Sequence, residues 1–171
     1  MLTVRGGCAA AAVVVISFGL LVTAAPAGNE PKDLDKIPKP VLETLKAKFP
    51  AAKIQKWSKE VEGGKVVYDI EFKLDGRKAE ADILEDGTLH NFEKEFDARD
   101  LPKAVTEAIA KRYPKAAIKE VMEITAIKDK KEVHGGFEVV LETAKKKHVE
   151  VTVTKDGTIT EDSGAKQGEQ Q

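Results

Sequence analysis

The sequence predicts an α+β protein made of two tandem repeats, each one helix packed on a four-stranded antiparallel sheet. Three observations carry that prediction: a stretch that recurs 64 residues later, a proline-bracketed helical period opening each copy, and strands of period two joined by Asp-Gly turns behind it. Ile37 to Pro50 aligns with Leu101 to Pro114 at an offset of 64. Tyr68 to Phe72 then meets Phe137 to Leu141 at 69, and Asp86-Gly87-Thr88-Leu89 meets Asp156-Gly157-Thr158-Ile159 at 70. Recurrence in one order marks a repeated supersecondary unit. The copies are residues 37–96 and 101–162, and the drift in offset places a few extra loop residues in Lys128 to Gly136.

Each element follows from its period. Val41, Leu42, Leu45 and Phe49 recur at helical spacing, as do Val105, Ala108, Ile109 and Tyr113, which gives each helix one apolar stripe. Pro38 and Pro102 suit a first helical turn, and Pro50 and Pro114 end the helices because the ring clashes with the preceding turn. The period then changes to two. Strands are predicted near 53–61, 65–74, 77–85 and 88–95, then near 117–127, 136–144, 147–155 and 158–162. Asp75-Gly76, Asp86-Gly87 and Asp156-Gly157 accept the positive backbone angles of hairpin turns, and Gly63-Gly64 and Gly135-Gly136 precede the second strand of each copy. One helix covers one sheet face and leaves the other, polar face to water or a partner. A copy of about 60 residues buries little of its own surface, so side-by-side packing or a continued sheet would help. Phe92 and Phe96, near the Asp97 to Asp100 joint, are placed to pack between the copies.

Residues 1–27 differ from the rest. Arg5 is the only charge before Glu30, and Ala9 to Val22 is an apolar run broken by Ser17 and Gly19, the pattern of a secretory signal peptide. Ala25-Pro26-Ala27 suits cleavage before Gly28, with Val22-Thr23-Ala24 as an alternative frame and an uncleaved anchor as the other reading. The run is short for a membrane span, so no stable membrane insertion is expected after processing. Cys8 lacks the flanking residues of a lipoprotein signal. The expected location is secreted or periplasmic. Residues 28–36 read as a flexible segment and 163–171 as a disordered tail.

Composition excludes several function classes. The 171 residues carry 28 basic and 29 acidic side chains, with 33% charged and 42% hydrophobic residues. Such a chain is neither a polar disordered polymer nor a membrane bundle, and it has no basic bias toward nucleic acid. The single Cys excludes an intramolecular disulfide and a multi-thiolate metal site. No Ser sits in a Gly-flanked elbow, and neither Gly pair has the Lys-Ser/Thr of a phosphate loop, so no catalytic set and no cofactor motif is found. His90, His134 and His148 are scattered; His148 and Glu150 share one strand face but lack a third ligand. Lys128, Lys130, Lys131 and Lys145 to Lys147 have no interleaved aromatic for base stacking.

The candidate binding residues are Asp69, Glu71, Glu80 and Asp82, four carboxylates on adjacent strands facing away from the helix. Like charges on neighbouring strands repel unless water, a cation or a basic partner offsets them. Trp57, the only Trp, reads either as packing beneath the helix or as an exposed anchor for a partner.

These residues carry a resemblance. Leu101-Pro102-Lys103-Ala104-Val105, Arg112-Tyr113-Pro114-Lys115-Ala116, Phe137-Glu138-Val139 and Asp156-Gly157-Thr158 resemble motifs of the PepSY-like, or β-lactamase-inhibitor-like, family. Ile37-Pro38, Lys48-Phe49-Pro50-Ala51-Ala52, Tyr68-Asp69-Ile70 and Asp86-Gly87-Thr88 match in the first copy. The resemblance implies an exported, non-enzymatic module whose relatives accompany secreted peptidases or grip an enzyme on a concave sheet. The expected function is binding of a protein or peptide through exposed sheet faces, including inhibition or regulation of a secreted enzyme. The alternative is sensing of a cation or small ligand by the acidic face of the first sheet.

Overall fold

Proline brackets both long helices of the computed structural model, which describes residues 33–166. Helix α1 spans Lys39–Lys48 and α2 spans Lys103–Arg112. Pro38 and Pro102, held extended at φ −57° and −54°, stand one residue before the first turn. Phe49 and Tyr113 leave the helical region at ψ 71° and 74°, because a residue before proline is pushed out of it. The expected signal peptide at 1–27, and residues 28–32 and 167–171 of the two expected flexible ends, lie outside the described residues. Within those ends, Leu34–Lys36 forms a 3-10 turn and Ser163–Lys166 forms the short helix α3, so the segment expected to be a disordered tail begins with ordered backbone.

Eight strands follow the alternating segments: β1 Lys53–Glu62, β2 Lys65–Leu74, β3 Arg77–Leu84, β4 Leu89–Glu95, β5 Ala117–Lys128, β6 Lys131–Glu142, β7 His148–Val153 and β8 Ile159–Asp162. They form one antiparallel sheet in chain order. This overturns the expected α+β arrangement of two repeats, each with its own four-stranded sheet. β4 pairs with β5 from Asn91↔Ala126 to Glu95↔Met122, so the ladder runs through the joint. Separate sheets would leave the edges of β4 and β5 with unpaired amides and carbonyls, and pairing satisfies both at once.

Most turns have the expected chemistry. Gly63-Gly64 and Asp75-Gly76 hold both central residues at positive φ, as two-residue hairpins require. Lys128 to Gly136, expected as a loop, instead forms the tip of the β5–β6 hairpin. There Asp129 and Lys130 adopt φ 50° and 61° without glycine, which lets both strands run on and puts His134 on β6.

Both helices pack on one sheet face. Phe92 pairs with Thr125, and Val121 lies two alternations along β5 from it, so the first and second clusters share a side. Val41 and Leu45 of α1, with Phe49 just after it, meet Tyr68, Ile70, Phe72, Ala79, Ala81 and Ile83. Val105 and Ile109 of α2 meet Val121, Phe137, Val139, Leu141, Val149, Val151 and Val153. Phe92 lies edge-on to Phe49 at 5.2 Å, whereas Phe96 lies 5.1 Å from Phe137, one ring to each cluster.

Two hairpin turns touch the helix starts. A Cβ on Gly87 would sit 2.9 Å from the Pro40 carbonyl oxygen, and one on Gly157 would sit 2.6 Å from that of Ala104. Both glycines also have φ near 88°. Gly157→Ala is therefore expected to lower stability by about 2–3 kcal/mol, from backbone strain and a forced retreat of α2. Gly76→Ala has the same φ strain with no atom within 4 Å, and should cost about 1 kcal/mol. Equal denaturant midpoints for the two variants would contradict the close approach.

Candidate functional site

The face opposite the helices is built by alternation. Because Tyr68, Ile70 and Phe72 point to the helices, Asp69 and Glu71 point away; Glu80 and Asp82 do the same between Ala79, Ala81 and Ile83. Register brings all four expected carboxylates together and adds others. Ser58, Asp69, Asp82, Asn91 and Ala126 form one row across β1 to β5. Lys56, Glu71, Glu80, Glu93 and Ile124 form the next, and Met122, Glu138 and Thr152 extend the face across β5 to β7. Asp69 stands directly opposite Asp82, and Glu80 stands between Glu71 and Glu93. Directly opposed like charges destabilise a sheet.

The face is a trough, contrary to the expected open surface free for water. Met122, Ile124, Glu93, Asn91 and Thr152 are all at most 6% exposed although both helices lie on the other side. The sheet curls over them. In a flat sheet β1 and β8 would stand about 34 Å apart. Yet the Glu62 carboxyl on β1, raised first by its own burial, also feels the charge of Glu161 on β8.

Curling withdraws the carboxyls from water. Burial, reinforced by Glu80, Asp82 and Glu71, pushes Asp69 up to about 8, against the pull of Lys56. Burial and then Glu62, Glu80 and Glu60 push Asp82 up to about 7, although the Asn91 amide favours its charged form. Burial, Glu150, Glu80 and Glu120 push Glu138 up to about 8 against Lys78. Glu93 is raised well above the carboxylate range by burial and by Glu138, Glu80, Asp82 and Asp69. Two lysines reach in. Lys56 Nζ lies 2.7 Å from Glu71, and Lys78 Nζ lies 2.7 Å from Glu80 and 2.9 Å from Glu120. Burial would lower Lys78, but the two carboxylates outweigh it and raise it. Among the described residues no ion pair reaches Asp69, Asp82, Glu93 or Glu138. Three buried oxygens have no hydrogen-bond partner among the described residues: Ser58 Oγ, Asp69 Oδ1 and Thr152 Oγ1, all on this face.

Trp57 is not part of this site. It pairs with Ile70, stacks on Tyr68 at 6.2 Å and packs against the first cluster on the helix side. Glu93, Glu138, Asn91 and Thr152 were not singled out by the sequence reading. Their alternation was legible, but the β3–β4 pairing, whose register shifts between Asp82 and Ile83, sets Glu93 beside Glu80, and the β4–β5 pairing brings it within reach of Glu138. Among the described residues no three His, Cys, Asp or Glu side chains converge as a metal ion requires. His148 faces Glu142 at 4.0 Å, a carboxylate that Lys146 and Lys119 also approach, and His134 faces Glu123 at 3.3 Å. No described helix is long and apolar enough to cross a membrane.

A curled eight-stranded antiparallel sheet with its helices on one side is a BLIP-like fold. It is shared with a BLIP-like protein from Bacteroides fragilis, 22% identical, over 74% of this chain and 85% of that one, with a TM-score of 0.51. A DUF2874 family protein from Bacteroides uniformis is 19% identical over 73% of this chain and 87% of its own, with a TM-score of 0.57. A chain provisionally described as periplasmic, from Bacteroides eggerthii, is 17% identical over 74% and 87%, with a TM-score of 0.55. No protein-family model matches the chain, and no curated protein matches it in sequence. The likeness is one of fold.

Proposed function

We propose that the chain is an exported, non-catalytic binding module that takes a protein or peptide partner into the trough. The observation that carries this reading is the set of directly opposed carboxyls, Asp69 with Asp82 and Glu71 with Glu80 and Glu93, on a face that neither α1 nor α2 covers. A purely structural sheet gains nothing from that arrangement. A partner that brings donors or positive charge offsets its cost. The BLIP-like and periplasmic descriptions of chains with the same fold agree with binding outside the cytoplasm. The PepSY-like resemblance and the duplication read from sequence are consistent with the same role.

Photo-crosslinking in the producing cell tests the reading. A crosslinking side chain in place of Glu71 should join the protein to a partner, and one in place of the exposed Glu107 on α2 should not. Equal labelling from both positions, or none from Glu71, would overturn it, as would hydrolytic turnover that disappears on changing one Asp, Glu or His.

A further inference from the structure

We infer that the occupant of the trough is an extended, lysine- or arginine-bearing protein segment, whose cations pair with Asp69, Asp82, Glu93 and Glu138. This rests on the binding reading above and names the partner's chemistry. The protein's own lysines show what the face accepts: Lys56 at its rim and Lys78 within it each pair at 2.7 Å, but they serve Glu71, Glu80 and Glu120. Among the described residues no ion pair reaches the other four carboxyls. A second observation is independent of charge. Thr152 is 4% exposed, points into the trough opposite Glu138, and leaves its Oγ1 without a partner. At the other end Ser58 and Asp69 pair in register, and Ser58 Oγ and Asp69 Oδ1 are both buried with no partner among the described residues. An ammonium carries three donors and a guanidinium five, so one cation at each end can satisfy a carboxylate and the neighbouring hydroxyl together.

The acidic field runs from β2 to β6, about 19 Å across five strands, or about six residues of extended chain. That span favours a peptide with cations on alternate residues. Entry of cations also displaces protons. Burial holds these carboxyls up, with one another and with Glu60, Glu62, Glu71, Glu80, Glu120 and Glu150 adding to it, and with Lys56, Lys78 and the Asn91 amide opposing it. Binding should therefore release protons at pH 7 and strengthen as pH rises.

Calorimetry of the full chain with a short capped peptide of alternating Lys and Thr tests the proposal, run in two buffers of different ionisation heat. Expected are binding with proton release, affinity about tenfold higher at pH 8 than at pH 6, and about tenfold loss in a Glu93→Gln, Glu138→Gln variant that keeps its circular dichroism. Three results would overturn it: the matching Gln-Thr or Glu-Thr peptide binding as well, spermine binding as tightly as the peptide, or affinity unchanged in the variant. If the basic peptide does not bind while Glu71 still crosslinks a partner, this inference falls and the binding-module reading stands. Absence of both removes both.

Discussion

The folded chain should melt at lower temperature as pH rises from about 5 to about 9, opposite to the usual trend for a protein rich in paired carboxylates. Asp69 and Glu138 are pushed up to about 8 and Asp82 to about 7, each chiefly by burial, and Glu93 is raised with them. In the unfolded chain these groups lose their protons near pH 4. Between pH 4 and 8 the native state thus binds more protons than the unfolded state, so stability falls with pH. The contribution is fully present below the unfolded values and is lost as pH passes through 7 to 8. Groups held low act at the other end: Asp97, through its bonds from Arg99, and Asp86 and Asp156, through their turn hydrogen bonds. Their support is present above pH 4 and lost on further acidification, so the optimum should lie near pH 5.

Each pKa unit retained is about 1.4 kcal/mol, so even partial relaxation of the trough leaves about 3 kcal/mol between pH 5 and pH 9. That corresponds to a drop in Tm of roughly 10 °C. Thermal melts at constant ionic strength read it directly. Glu93→Gln keeps the shape and removes one proton-binding site, so it should flatten the slope and raise Tm at pH 9. A Tm that is level or rises from pH 5 to pH 8 would contradict the buried acidic face.

Phe72→Ala should remove about 3–5 kcal/mol, a large share of the stability of a domain this size. Phe72 is fully buried, and its ring lies 5.0 Å from Phe49, which lies 5.2 Å from Phe92. The three rings tie α1 to β2 and β4, so the cavity left behind is walled by a helix and two strands that cannot all collapse into it. Because β4 is paired to β5, loosening the first cluster also weakens the ladder that leads to the second. Urea unfolding followed by Trp57 fluorescence, which reads the first cluster, and by far-ultraviolet circular dichroism, which reads the whole sheet, should give coincident transitions in the parent chain. A loss below 1 kcal/mol would mean that the ring cluster is not a packing centre.

Local structure was largely legible. The 3.6-residue period between prolines placed both helices, and alternation placed the eight strands to within a few residues at most ends. The exception was the β5–β6 hairpin, whose Asp129-Lys130 turn lacks the glycine that normally announces positive φ. The candidate site was legible in part. Asp69, Glu71, Glu80 and Asp82 lie within one hairpin, and a hairpin's register follows from its turn. Glu93 and Glu138 could not be added in the same way: the β3–β4 register shifts between Asp82 and Ile83, so the turn alone does not place Glu93, and the pairing of β4 with β5 that brings Glu138 to it spans a whole helix and leaves no periodic trace in the chain.

Sequence by itself therefore determined the elements, the turn positions and which side chains alternate onto which face, since all of these depend on neighbours a few residues apart. Tertiary structure alone decided that the strands form one sheet instead of two, and that this sheet curls. Hydrogen-bond pairing across the joint and the burial it imposes are non-local, and they turn what reads as a solvated acidic strip into a recessed trough whose carboxyls hold protons near neutral pH.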